Sequence, residues 1–471
     1  MQAGKCGKAI AMKNMTLENI VAACSGTYIG DEALRSKTAE GVVLDSRKVE
    51  EGFLFLATVG ERVDGHDFIS QVFEKGALCV VCEKRPENPA GPCILVDSSF
   101  QALKDIAEFY RRQLPVKVVG ITGSVGKTST KEVIASVLAQ KYRVLKTQGN
   151  LNNEVGLPLT VLSIREDHEV AVLEMGISDF GEMDRLSFIA KPDLCVITNI
   201  GLCHLENLKT QEGILKAKSE IFSHMNPKGV IVVNGDDSHL GTIKDVKGII
   251  PKTFGFGEGN DVYVSEIESL GLSGSRFTIH DGKNAYSAKI NLPGRHMALN
   301  SAAAALIGRE CGLTQEEVVQ GICSVKPVSG RSNLVDTGSI TIIDDCYNAN
   351  PVSMKSAVDL LLCADTRKVA VLGDMFELGE DADRMHEDTG AYAGKQGVDL
   401  LLCAGENAVH MADGAKRYLK GDCVRHYRNT EELEEALLSA IKKGDSVLVK
   451  ASHGMHFESI VNRLKDHVFE A

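Results

Sequence analysis

Residues 120–130 read Gly-Ile-Thr-Gly-Ser-Val-Gly-Lys-Thr-Ser-Thr. An apolar stretch at 116–121, broken only by Lys117, precedes the run and reads as a buried strand, and 131–140 reads as a helix. A glycine-rich turn between strand and helix aims several backbone N–H groups at one point, and the helix N-terminus adds partial positive charge there. The anion that suits such a turn is a phosphate chain. Gly123, Ser124, Val125 and Gly126 make the turn, and Ser129 closes the run. Lys127 brings a full charge to the β- and γ-phosphates, and the Thr128 hydroxyl is placed to ligate Mg²⁺. The match to the usual phosphate loop is incomplete. Ile121 stands five residues before Gly126, where that loop has glycine, and Gly120 is one place early. The plain alternative is a tight turn.

Other polar residues stand where apolar runs end. Glu174 closes the run at 171–173, and a carboxylate beside a phosphate loop suits a Mg²⁺ ligand; an ordinary strand-end acid is the rival reading. Asn199 and His204 follow an expected strand at 194–198. A lone histidine there is a ligand, a surface residue or a satisfied core residue. Lys218 falls on an expected helix, where a solvated lysine is the default. In Asp344-Asp345-Cys346-Tyr347-Asn348-Ala349-Asn350-Pro351 a strand ends in a polar turn before a helix, with proline favourably near the helix start. Asp345 could accept hydrogen bonds from a ribose. Gly373-Asp374-Met375 and Lys450-Ala451-Ser452-His453 also follow strands. Their shared placement is what joins them.

The elements that must position these residues fall into three blocks. The first, 15–115, has short strands at 41–44, 53–57, 78–82 and 94–96 and closes with an amphipathic helix at 100–114, stopped by Pro115. The second, 116–326, alternates strands at 116–121, 170–173, 194–198 and 230–233 with helices, one near 211–224. Antiparallel strands are appended at 261–292, and a helix follows at 297–309. The third, 327–471, alternates again, with strands at 340–343, 368–372, 400–403 and 446–449. The expected fold class is therefore α/β. It has a small α/β N-terminal domain, a central phosphate-loop parallel sheet with an appended antiparallel segment, and a doubly wound, Rossmann-like C-terminal domain. Ligands in such sheets bind beyond the carboxyl ends of the strands, so blocks two and three should face one cleft. Residues 1–14 read as a disordered leader rather than a signal peptide.

The 471 residues exceed what one core serves. The net charge of −12 argues against nonspecific nucleic-acid binding. No apolar run reaches membrane-spanning length, so no membrane insertion is expected. Thirteen scattered cysteines read as free thiols of a reducing, cytoplasmic compartment. Cys79 and Cys82, the one Cys-x-x-Cys, sit on an expected strand that turns them to opposite faces.

Taken together the motifs resemble the Mur ligase family, the ATP-dependent amide-forming enzymes of peptidoglycan synthesis, over nearly all of the chain from Met15. Gly123 to Ser129 match the family's Gly-[Ser/Thr]-x-Gly-Lys-Thr-[Ser/Thr]. Asp45-Ser46-Arg47 and Asp64-Gly65-His66-Asp67-Phe68 resemble its uridine-binding N-terminal domain. Gly149-Asn150-Leu151-Asn152-Asn153-Glu154 resembles the loop facing the sugar nucleotide. The turn Tyr347-Asn348-Ala349-Asn350-Pro351 resembles the D-alanyl-D-alanine-adding branch.

The resemblance implies ATP, Mg²⁺ (two ions) and a carbamylated lysine. It implies UDP-N-acetylmuramoyl-tripeptide and D-alanyl-D-alanine as substrates, and a monomer. Residue by residue, it implies that Lys127 and Thr128 hold the ATP phosphates and the first Mg²⁺. Glu174 and His204 would hold a second ion, with Lys218 carbamylated beside it. Asn300 would meet the adenine, Arg331 the γ-phosphate and Asp345 the ribose. Ser46, Arg47, Asn150, Asn153, Tyr347, Asn348 and Asn350 would face the other substrates. Lys450-Ala451-Ser452-His453 departs from the family's usual Lys-Gly-Ser-Arg. Rival readings are the same chemistry on another acceptor, as in third-residue-adding, folylpolyglutamate or cyanophycin enzymes, and a phosphate-loop ATPase without a covalent product.

Overall fold

The apolar run after Pro115 folds as the strand Lys117–Thr122, buried along 118–122, and its place in the sheet decides the rest of the site. Val170–Glu174 pairs with it on one side and Leu194–Ile197 on the other, both parallel. Three neighbouring strands therefore end on one edge. That edge carries the turn after Thr122, the carboxylate of Glu174 and the segment from Thr198 to His204. Between their ends these strands are apolar because helices cover both faces of a parallel sheet.

The computed structural model describes residues 11–87 and 90–469. Their strands form three sheets. The central sheet has nine strands. Its parallel part runs Val144–Lys146, Val170–Glu174, Lys117–Thr122, Leu194–Ile197, Val230–Asn234, Lys252–Gly255 and Val262–Ser269. Two antiparallel strands, Ser275–Asp281 and Asn284–Ile290, extend it as the appended segment. The helix Lys127–Leu138 packs on one face beside Arg295–Glu310. Val133, Ile134 and Val137 share a core cluster with Ala302, Ala303 and Leu306. Gly321 lets a third helix, Gln315–Cys323, come close, since a Cβ there would lie 2.4 Å from the Val137 backbone.

The N-terminal sheet orders five strands as Thr27–Ile29, Cys93–Leu95, Cys79–Cys82, Phe53–Leu56 and Gly41–Val43, parallel except for the first. The helix Ser99–Arg112 ties this sheet to the central one. Leu103, Ile106 and Tyr110 sit in a core shared by both. The Tyr110 hydroxyl donates to the Ile164 carbonyl at 2.6 Å, and Arg111 Nε donates to the Ala190 carbonyl at 2.8 Å. The C-terminal sheet orders six strands as Asn333–Asp336, Thr341–Asp344, Ser446–Lys450, Lys368–Gly373, Leu400–Ala404 and Val424–Tyr427, parallel after the first pair. The α/β architecture expected from the alternation is the one observed.

Several boundaries differ from expectation. The helix expected from 131 begins at Lys127, because Gly126, with φ +78°, turns the chain directly into it. The helix expected near 211–224 stops at Ser219 and tightens into a 3₁₀ turn, Glu220–Phe222. Thr27–Ile29, Val144–Lys146, Lys252–Gly255, Asn333–Asp336 and Val424–Tyr427 are strands that the pattern did not signal, since three or four half-covered residues carry no clear alternation. Cys79 and Cys82 do face opposite sides, in separate core clusters. Every cysteine among the described residues is a free thiol. Of the leader expected at 1–14, residues 1–10 lie outside the described residues, and Met12 is buried.

Candidate active site

The phosphate-loop turn is shaped by the end of the neighbouring strand. Gly123 has φ +152°, and a Cβ on it would fall 1.9 Å from the Thr198 hydroxyl, so no other residue fits there. Asn199 grips the turn twice. Its Oδ1 accepts from the Val125 N–H and its Nδ2 donates to the Val125 carbonyl, both at 3.0 Å. The Ser124 hydroxyl donates to the Gly201 carbonyl at 3.1 Å. Asn199 thus holds the loop's shape together with Thr198, whose hydroxyl donates to the Val125 carbonyl at 2.7 Å. Lys127 Nζ folds back across the turn and donates to the Gly123 carbonyl at 2.8 Å. Burial lowers its pKa below the ordinary lysine value, against the opposing pull of Glu174.

Glu174 is 1% exposed and collects donors from two other segments. The Thr128 hydroxyl lies 2.9 and 3.1 Å from its two oxygens, and Asn152 Nδ2 donates at 2.8 Å. A hydroxyl and a carboxylate side by side at a phosphate loop are hard oxygen donors that fit Mg²⁺.

Lys218 is not the solvated lysine of the default reading. It is 1% exposed, and burial first, then Lys127, pushes its pKa down to about 8. His204 sits in left-handed backbone, φ +49°, and its Nδ1 lies 2.7 Å from Glu377 Oε2, a contact between the second and third blocks. Among the described residues no group of three or more His, Cys, Asp or Glu side chains gathers at ion-holding distance.

The third block's contribution is built around a buried ion pair. Lys450 Nζ lies 2.6 Å from Asp345 Oδ2 and donates to the Asn348 carbonyl at 2.8 Å. Asp345 Oδ1 accepts from the Ser332 N–H at 2.8 Å. The Arg331 guanidinium lies 3.7 Å from the Tyr347 ring centroid, and His453 stacks on the same ring at 5.5 Å. Asn350 caps the helix Pro351–Leu361 through the Ser353 N–H, with proline at its first turn. Removing one partner of such a pair strands the other. Lys450→Met is therefore expected to destabilise the protein by about 3–5 kcal/mol, read as an earlier urea midpoint. A midpoint unchanged from the parent protein would contradict the pairing.

These groups meet in one cavity of about 590 Å³. The second block lines it with Ser124, Val125, Gly126, Lys127, Thr128, Ser129, Asn153, Glu174, His204 and Asn300. The third block lines it with Arg331, Asp345, Tyr347, Asn348 and Asn350.

Sequence comparisons match the same segments. The description "Mur ligase middle domain" fits residues 121–308, "Mur ligase, glutamate ligase domain" fits 330–453, and "Mur ligase family, catalytic domain" fits 38–119. The chain is 39% identical to UDP-N-acetylmuramoyl-tripeptide–D-alanyl-D-alanine ligase of Bacillus subtilis, over 96% of this chain and 99% of that one. The chain belongs to the Mur ligase family. Its fold superposes on MurF from Acinetobacter baumannii with TM-score 0.88 at 32% identity, covering 97% of this chain and all of that one. The MurF ligase of Thermotoga maritima, solved with ADP, gives TM-score 0.78 at 32% identity, over 90% and 97% of the two chains.

In this Mur ligase five of the expected site residues lie off the cavity lining. Gly123 and Lys218 are buried. Asn150 is exposed beyond the loop. Ser46 and Arg47 belong to the N-terminal block, where Arg47 is exposed and pairs with Asp45 at 2.9 Å. Asn153 also accepts from the Gly156 N–H at the start of the helix Gly156–Leu162. Residues that motif reading passed over are Asn152, His296 and Lys450, all on the lining. Asn152 lies inside the Gly149–Glu154 run and Lys450 at a strand end, while His296 is marked only by Asn300 four residues on.

Proposed function

We propose that this Mur ligase joins the free amine of D-alanyl-D-alanine to the terminal carboxylate of UDP-N-acetylmuramoyl-tripeptide, converting ATP to ADP and phosphate, in the synthesis of peptidoglycan precursor. The observation that carries this reading is the single cavity in which a phosphate loop meets the Tyr347–Asn350 turn, in a chain that follows D-alanyl-D-alanine-adding relatives along nearly its whole length.

The chemistry follows from the charges. A peptide carboxylate is a poor electrophile. Transfer of the γ-phosphoryl group makes it an acyl phosphate; the amine attacks that carbonyl, phosphate leaves, and the amine's proton is released. Bringing an anionic carboxylate to anionic ATP needs cations fixed in advance. Lys127 sits at the loop for this, with Arg331 facing it from the third block. Thr128 would hold the first Mg²⁺, and Glu174 with His204 a second, with a carbamylated Lys218 beside it. Bound Mg²⁺ supplies charge neutralisation for the phosphate oxygens. Asn300 is assigned to adenine and Asp345 to ribose.

The proposed division of labour gives residues 15–115 the uridine end, held by Ser46 and Arg47. Residues 116–326 take ATP, with Asn150 and Asn153 toward the sugar nucleotide. Residues 327–471 take the acceptor amine, with Tyr347, Asn348 and Asn350 around it. We take the protein to act as a monomer in the cytoplasm, where ATP and the UDP-linked substrate are found. Among the described residues no helix is long and apolar enough to cross a membrane.

A site built to hydrogen-bond a dipeptide leaves buried partners unpaired when offered a single residue. Free D-alanine is therefore expected to be joined about a hundredfold less efficiently in kcat/KM than D-alanyl-D-alanine. Competition between the two amines, read by product mass, checks it. Faster joining of L-lysine, diaminopimelate or glutamate would replace the acceptor while keeping the ligase.

A further inference from the structure

Lys131 is among the largest fully buried side chains, 1% exposed, and none of the roles assigned above uses it. It lies three residues after Thr128 on the helix Lys127–Leu138, so the two side chains share a face. That face looks onto the end of Val170–Glu174, a neighbour of the strand feeding the phosphate loop. Lys131 Nζ donates to the Thr147 carbonyl at 2.8 Å and lies 3.1 Å from Glu132 Oε1 and 3.8 Å from Glu174 Oε2. Thr147 in turn holds the strand, since its hydroxyl accepts from the Glu174 N–H at 2.9 Å. Glu132 has a second partner in Lys146. The cluster therefore balances two ammonium groups against two carboxylates in a space without water-exposed sides for Lys131 or Glu174.

Burying a lysine is costly unless the charge is paired and hydrogen-bonded, and an apolar side chain would fill the same space without that cost. What the ammonium adds is direction. Thr128 and Asn152 approach Glu174 with neutral donors, while Lys131 places a positive charge 3.8 Å from Oε2, itself anchored to the Thr147 carbonyl.

We propose that Lys131 is a positioning residue that sets the Glu174 carboxylate for its divalent ion. The inference rests on the assignment of Glu174 as a metal ligand. Side chains that orient a ligand from behind typically change metal affinity or activity by roughly 10–100-fold when removed.

The test uses Mn²⁺ as probe, titrated into the full-length protein with ADP present and followed by the electron paramagnetic resonance signal of the free ion. Lys131→Met is expected to weaken Mn²⁺ binding by roughly tenfold or more while the KM for the UDP-linked substrate stays within about twofold. Lys131→Arg, which keeps the charge, should recover part of the loss. In a Glu174→Gln background Lys131→Met should add little, because two residues acting through one contact are not additive. Should Lys131→Met not fold, Lys131→Gln, which keeps a donor for the Thr147 carbonyl but no charge, is read the same way. Unchanged Mn²⁺ binding in a folded variant, or equal losses with and without Glu174, would overturn the proposal while leaving Glu174 as a ligand. Unchanged binding in Glu174→Gln alone would overturn the metal assignment and this inference with it.

Discussion

Lys127→Ala is expected to lower kcat by about 10²–10³-fold with the fold intact. The side chain lies over the phosphate turn, and its one hydrogen bond, to the Gly123 carbonyl, belongs to the loop and not to a core. Losing it should change stability by about 1 kcal/mol. The rate is different, because an ammonium held ready at developing phosphoryl charge acts in the transition state. Burial lowers the Lys127 pKa, against the opposing pull of Glu174. Steady-state turnover and thermal unfolding of the same preparation check both halves. Turnover within threefold of the parent protein would remove Lys127 from the reaction.

Lys218→Ala is expected to be nearly inactive, by about 10³-fold, and partly rescued by acetate or formate. CO₂ adds only to a neutral amine. A surface lysine at neutral pH is almost wholly protonated, whereas a lysine brought down to about 8 by burial and by Lys127 carries a usable neutral fraction. Carbamylation would then convert a buried cation into an anion, and a small carboxylate could occupy the space left by alanine. Loss of activity in bicarbonate-free buffer, regained on adding bicarbonate, is the companion result. Full activity of Lys218→Ala would refute the carbamate.

The parts legible in the sequence are those whose chemistry is local. The phosphate turn is four consecutive residues, 123–126, between a strand and a helix, and its glycines are dictated by backbone conformation, as the Thr198 contact at Gly123 shows. The strand-end positions of Glu174, His204 and Asp345 were legible too, because a polar residue closing an apolar run marks an edge. What those residues touch was not. Asp345 finds Lys450 across 105 residues, and His204 finds Glu377 from another sheet. Such pairs depend on strand order, which no local pattern encodes. The solvated default for Lys218 fails for the same reason. A lysine on a helix is solvated by default, and only the packing of Gln211–Ser219 against its neighbours buries it. Asn199 was expected among the strand-end polar residues, yet its work is to shape the turn through both of its amide atoms.

The central claim is that one cavity couples ATP to amide formation between a UDP-linked tripeptide and a dipeptide amine. The most direct measurement is ADP release by the purified protein with ATP and Mg²⁺, with each of the other two substrates supplied alone and then together, and the product identified by mass. The account predicts ADP release only when UDP-N-acetylmuramoyl-tripeptide and D-alanyl-D-alanine are both present, with one amide product formed per ADP. Steady ADP release without the amine, or without any joined product, would contradict it.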